Sequence, residues 1–230
     1  MSDLSFYRMR AIAVLAMTAA VPAISACGDH KLGPSTPASV SIVSGDTQKI
    51  LVGDRASQPL LVEIKNSDGS ALANIPVIWA VLSGGGSLQP VADTTDVNGQ
   101  ARATYLSPAI TGTAKVTAMA ANQIGTFSLT VAADTVGTVS AFAGDGSAAL
   151  VGFQLTLIAK ATDRFGNAIS GVGVSWSASS GILQLPNKAT DSTGKATNVI
   201  TVGPDTGKVA ISATSRFNTI TFTVTALPTK

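Results

Sequence analysis

The stretch "TDVNGQA" at 95–101 returns as "TDSTGKA" at 190–196, and it does not return alone. Trp79 in "VIWAVLSGGGSL" has a counterpart in Trp176 of "VSWSASSGIL". "KNSDGSALANIPV" comes back as "TDRFGNAISGVGV", with Gly69 matching Gly166, and "GTAKVTA" at 112–118 comes back as "GKVAISA" at 207–213. "LVGD" at 51–54 becomes "LVGF" at 150–153. The separation drifts only from 95 residues (Asp96 to Asp191) to 99 residues (Leu51 to Leu150), which small loop insertions explain. Self-similarity in register means one structural unit built twice. The expected units are 38–133 and 136–228.

Inside each unit the apolar residues recur with period two. Val62 and Ile64 alternate with Leu61 and Glu63, and Phe127, Leu129 and Val131 alternate with Ser and Thr. Val209, Ile211 and Ala213, then Phe222 and Val224, do the same in the second unit. Alternation of this kind turns one face to a core and the other to water. Clusters of Gly, Pro, Asn and Asp interrupt it, as turns require. The chain is 45% apolar, enough to bury a core, but only 12% charged and 5% aromatic. About seven short strands in each unit predict a β-sandwich. Trp79 and Trp176, at matching strand positions, are expected at the centre of each core. A single Cys forms no internal disulfide, so apolar packing alone must hold the sheets together.

The repeated "TDxxGxA" segments, the preceding "PVIWAVLSGGG" and "GVSWSASSG", and the following "GTAKVTA" and "GKVAISA" resemble the bacterial immunoglobulin-like domain, group 1, of the intimin and invasin adhesins. The resemblance covers nearly the whole chain beyond its leader. It implies an all-β protein of two tandem immunoglobulin-like β-sandwich domains, used in cell-surface adhesion or as a structural spacer. One position departs from the pattern: Ala103 corresponds to Asn198. A buried amide needs partners, so a local shift of that strand is expected.

The N-terminal segment reads as an address. Arg8 and Arg10 precede the apolar run "AIAVLAMTAAVPAI" at 11–24, which is too short to span a bilayer comfortably. Small residues and a cysteine close it, in "ISAC" at 24–27. This is the three-part pattern of a signal peptide over 1–26. The "ISAC" ending resembles the lipobox of bacterial lipoproteins. The resemblance implies cleavage before Cys27 and acylation of that residue, with diacylglycerol on its thiol and a palmitate-type chain on its amine. Several acyl chains hold a protein firmly where one does not. Gly28, rather than Asp, follows the cysteine, which in enteric-type sorting resembles cargo sent to the outer membrane. Residues 27–37 then form the lipidated cysteine and a polar tether.

Asp96-Val97-Asn98-Gly99 looks like the opening of a calcium loop. Such a loop needs alternating oxygen ligands and a carboxylate near its twelfth position. No acid follows Asp96 until Asp134, and none follows Asp191 until Asp205. The alternative is a turn, in which Asp96 and Asp191 accept the backbone N–H groups just ahead and Gly99 and Gly194 take a positive φ. "SGGGS" at 83–87 lacks the Lys-Ser/Thr of a phosphate loop and reads as an inter-strand loop. His30, the single histidine, stands in the tether with no partner for a metal or a catalytic relay. Asp145, Asp163 and Asp205 lie in expected turns, with calcium at the unit junction near Asp134 left open. Phe165 is either an exposed contact for sugar or protein or a cover for the end of a sandwich.

The formal charge is +2, and Arg8 and Arg10 belong to the leader. No basic cluster points to nucleic acid. These readings together describe a non-enzymatic protein with no cofactor and no metal. It is held by lipid in the cell envelope, at the outer membrane, on either its surface or its periplasmic face. The alternative function is a periplasm-facing binding module for a glycan or an envelope protein complex.

Overall fold

The computed structural model describes residues 36–135 and 137–229. The expected signal peptide, Cys27, Gly28, His30 and most of the tether lie outside the described residues. Every regular element among the described residues is a β-strand.

The first repeat folds into eight strands: β1 (Ser39–Ser44), β2 (Lys49–Leu51), β3 (Leu60–Lys65), β4 (Ile78–Ser83), β5 (Ser87–Val91), β6 (Gln100–Leu106), β7 (Gly112–Ala120) and β8 (Gln123–Ala132). They make two sheets of four, in the orders β1-β3-β6-β5 and β2-β8-β7-β4. The second repeat has nine: β9 (Gly137–Ala143), β10 (Ala148–Leu150), β11 (Gln154–Asp163), β12 (Gly173–Ala178), β13 (Ile182–Leu183), β14 (Asn187–Ala189), β15 (Lys195–Thr201), β16 (Gly207–Ser215) and β17 (Thr219–Leu227). Its sheets run β13-β15-β11-β9 and β10-β17-β16-β12-β14. The count exceeds seven for two reasons. The short strands β2 and β10 add parallel edges to β8 and β17. The region of β5 is split in the second repeat, where β13 pairs with β15 but β14 crosses to pair with β12.

The period-two residues meet in two separate cores. Val62, Ile64, Val116, Phe127 and Leu129 are among the buried residues of the first. Leu157, Ile200, Ile211, Phe222 and Val224 are among those of the second. Burial of such apolar area is the main stabilising term, about 25 cal/mol per Å². The Trp79 ring stacks on Phe127 with centroids 6.0 Å apart, and Trp176 stacks on Phe222 at 5.5 Å. The two tryptophans differ in depth: Trp176 is buried, whereas Trp79 packs half-buried against its core. The largest side chains sealed in the first core are Tyr105 and Phe127.

Asn198 is buried, and the expected local shift is not in its own strand. β15 stays in continuous register with β11, Leu157 facing Asn198. The irregularity is in its neighbour, which leaves the sheet beside Asn198 on the way from β13 to β14. The amide stands in for the missing ladder: Oδ1 accepts Leu185 N at 3.1 Å and Nδ2 donates to Leu185 O at 2.6 Å. One residue on, Pro186 O accepts Trp176 N of the opposite sheet at 2.7 Å.

Candidate functional site: the repeated turns and the sandwich junction

The repeated turns close on themselves. Asp96 Oδ1 accepts Asn98 N at 2.8 Å and Gln100 N at 3.0 Å. Asp191 Oδ1 accepts Thr193 N at 2.8 Å and Lys195 N at 3.0 Å, and the Thr193 hydroxyl as well. The Lys195 N–H and the Thr193 hydroxyl, with the Thr193 N–H and the Lys195 charge, hold the Asp191 carboxyl below its usual range against the opposing effect of desolvation. Gly99 has φ 71° and Gly194 φ 76°. Each also passes close to a neighbouring strand. A methyl on Gly99 would lie 2.7 Å from Ile64 O, and one on Gly194 would lie 2.5 Å from Ala161 O. Both the left-handed backbone and the close approach therefore require glycine.

Sequence reasoning passed over the threonine that opens each motif. Thr95 Oγ1 accepts Ile75 N at 2.9 Å and donates to Leu72 O at 2.6 Å. Thr190 Oγ1 does the same with Val172 N at 2.9 Å and Ile169 O at 2.7 Å. Both are buried. The signal was present, since the Thr repeats with the Asp. Its role depends on a loop about twenty residues earlier in the chain.

No group of three His, Cys, Asp or Glu side chains suited to a metal occurs among the described residues. One carboxylate oxygen of each repeated Asp, Oδ1, is committed to its own turn. Millimolar calcium is expected to leave the melting temperature unchanged, checked by a thermal melt with and without the ion. A rise of several degrees would show that the turns or the junction hold the cation.

The junction of the two sandwiches uses the turn between β11 and β12. Asp163, 5% exposed, is its hub. Its Oδ1 accepts Phe165 N and Asn167 N, both at 2.9 Å, and its Oδ2 accepts Asp134 N at 3.1 Å. The Asn167 amide reaches both carboxylate oxygens and crosses to the first sandwich. There Nδ2 donates to Ala109 O at 2.8 Å, and Oδ1 accepts Thr111 N at 3.3 Å. Arg164 Nε lies 3.5 Å from Asp134 Oδ2, and its guanidinium stacks on Phe165 at 4.8 Å. Phe165 covers the first sandwich: a methyl on Gly53 would sit 3.4 Å from its Cζ. In the first repeat the equivalent hub is Asn66, which accepts Asp68 N at 3.0 Å and Ser70 N at 2.9 Å.

Desolvation alone would raise the Asp163 carboxyl, but the Asn167 side chain and the N–H groups of Asn167, Asp134 and Phe165 outweigh it and lower the value. A lowered folded value gives stability that is complete above the ordinary carboxylate range, about pH 4, and is lost as pH falls through the folded value. Asp163→Asn keeps an acceptor oxygen, as Asn66 does. At pH 7 the variant is expected to be less stable by about 1–2 kcal/mol, a charge-assisted increment. The gap should close as pH falls through the lowered folded value, where the wild-type carboxylate also protonates. Urea unfolding followed as a function of pH checks this.

No protein-family model matches the sequence, and no curated protein does. Solved structures do. The described chain is similar to InvD of Yersinia pseudotuberculosis, with TM-score 0.55 at 18% identity over 83% of this chain and 58% of that one. The two sandwiches have an immunoglobulin-like β-sandwich fold. The Escherichia coli adhesin FdeC aligns over 81% of this chain and 63% of its own at 16% identity, TM-score 0.48. The D00–D0 domain of intimin aligns over 82% of this chain and 97% of its own at 20% identity, TM-score 0.44. What the immunoglobulin-like units of this chain share with InvD is the fold.

Proposed function

We propose that this is a lipid-anchored cell-envelope protein that presents two immunoglobulin-like sandwiches, in cell-surface adhesion or as a structural spacer. The observation that carries the reading is the junction. A spacer needs neighbouring units that are fastened to one another. Here Asn167 bonds two backbone groups of the other sandwich, while Phe165 lies over Gly53. The acids in the repeated turns and at the junction are bound to backbone N–H groups, a structural use that fits a non-enzymatic role. The likeness of the repeated motifs to the intimin and invasin adhesins supports the surface role. Attachment rests on the lipobox-like "ISAC" and makes Cys27 the acylated residue, with the outer membrane as its destination.

Protease treatment of intact host cells, with a periplasmic protein as internal control, tests the placement. Digestion of the sandwiches while the control survives is the expected result. Protection until the envelope is breached would end the adhesion reading. It would turn attention to a periplasmic glycan or an envelope complex as partner. Labelling with a palmitate analogue, lost in Cys27→Ser, tests the anchor separately.

A further inference from the structure

Each sandwich has an end from which its last strand departs, and the two ends are built alike. Val52 N donates to Ala132 O at 2.9 Å in the first, and Val151 N to Leu227 O at 3.0 Å in the second. Asp54 N donates to Leu51 O and Ser107 N to Asp54 O; Phe153 N donates to Leu150 O and Val202 N to Phe153 O. Gly53 therefore corresponds to Gly152, and Asp54 to Phe153. Strand register matches Ser87, opposite Leu106, with Ile182, opposite Thr201.

The chain itself displays what covers such an end. In the first sandwich it is the aromatic tip of a β-turn, with Phe165 on Gly53 and Asn167 on the carbonyl of Ala109. In the second sandwich the same surface is open, and a methyl on Gly152 would meet nothing within 4 Å. The open end is also the more apolar of the two. Asp54 has become Phe153, 58% exposed; Ser87 has become Ile182, 74% exposed; Ser107 has become Val202. Leu150 and Leu227, paired side by side, are exposed as well. A cleft of about 370 Å³ opens among Val151, Gly152, Gly181, Ile182, Val202 and Pro204. Large apolar side chains gathered at a cleft mark an interaction surface, whereas scattered ones do not.

We propose that this end of the second sandwich docks the aromatic-tipped β-turn of another immunoglobulin-like unit, one of different sequence from the two described. The aromatic ring would lie over Gly152 against Phe153 and Ile182, as Phe165 lies over Gly53. A second copy of this chain is a poor occupant. The turn of its first sandwich offers Ser67, Asp68 and Ser70 where the docked turn has Arg164, Phe165 and Asn167. The turn of its second sandwich is already engaged at its own junction. The inference rests on the repeat within the chain and is independent of membrane attachment.

The probe is a backbone-cyclised peptide carrying residues 161–169, "ATDRFGNAI", titrated into the isotope-labelled protein and followed through the amide signals of Gly152, Ile182 and Gly203. Saturable shifts at those amides are expected in the millimolar range, with binding at least about tenfold weaker when the peptide phenylalanine is replaced by alanine. Phe153→Asp and Ile182→Ser each install the first sandwich's residue at an exposed position, so folding is retained. Each is expected to weaken binding to a similar degree. Absence of shifts, or equal affinity for the alanine peptide, overturns the proposal. Concentration-dependent shifts at the same amides without peptide also overturn it, and identify a second copy as the occupant.

Discussion

Phe222→Ala is expected to destabilise the second sandwich by about 3–5 kcal/mol, the usual cost of emptying a buried phenylalanine site. The side chain has no exposed surface, pairs across the sheet with Ile211, and carries Trp176 on its ring. Single domains are stable by about 5–15 kcal/mol in total, so most of the margin disappears. The two cores share no residue, and the first retains its own Trp79–Phe127 pair. The loss should therefore stay local. Each sandwich has one tryptophan, and each can be isolated as the sole reporter by replacing the other with phenylalanine. Fluorescence melts should show the Trp176 transition falling by more than ten degrees, at about 4–8 °C per kcal/mol for a domain this size. The Trp79 transition should barely move. If both reporters shift together, the junction couples the sandwiches into one cooperative unit. The picture of two independent cores would then be abandoned.

The parts of this structure legible in the sequence are those governed by local rules and doubled by the repeat. Period-two burial puts Val62, Ile64, Phe127 and Leu129 inside, and the same residue types recur inside the second unit at Ile211, Phe222 and Val224. Asp96 and Asp191 each bond N–H groups two and four residues ahead, an arrangement that depends only on near neighbours. What stayed hidden depends on residues far apart in the chain. Thr95 and Thr190 look like ordinary strand-edge threonines until the 72–75 and 169–172 loops come to meet them. The junction escapes for another reason. Asp163 and Asn167 are typical turn residues, and Ala109 and Thr111 contribute only backbone groups, which carry no side-chain signature. The two tryptophans also differ in depth and in the partner of the indole N–H. In the first sandwich the Trp79 indole donates to Ala92 O at 3.2 Å, while the Trp176 indole N–H has no protein acceptor.

Asn198→Ala restores the residue that the first repeat uses, Ala103, and is nevertheless expected to cost about 2–4 kcal/mol. In the first sandwich β5 continues along β6 as far as Val91, which pairs with Ala103, so that position needs no polar group. In the second, ladder pairing ends early. Gln184 N makes a last backbone bond to Val199 O at 2.8 Å, and the Asn198 amide then satisfies both polar groups of Leu185. Truncation removes the partner of that donor and that acceptor together and empties a site where Asn198 itself is only 1% exposed, although Leu185 is 37% exposed. The reverse change, Ala103→Asn, buries an amide at a position already paired with Val91 and only 1% exposed, and it too should destabilise. Two losses from reciprocal exchange of equivalent residues would show that the asparagine belongs to the route of its neighbouring strand and not to the repeat motif. Hydrogen exchange provides the site-specific reading. The Leu185 amide and those of β14 should lose protection in Asn198→Ala, while β11 and the far end of β15 keep theirs. Unchanged protection at Leu185 would mean that the crossing strand is held by its later anchors, Pro186 O on Trp176 N and the β12–β14 ladder, and that the amide is dispensable.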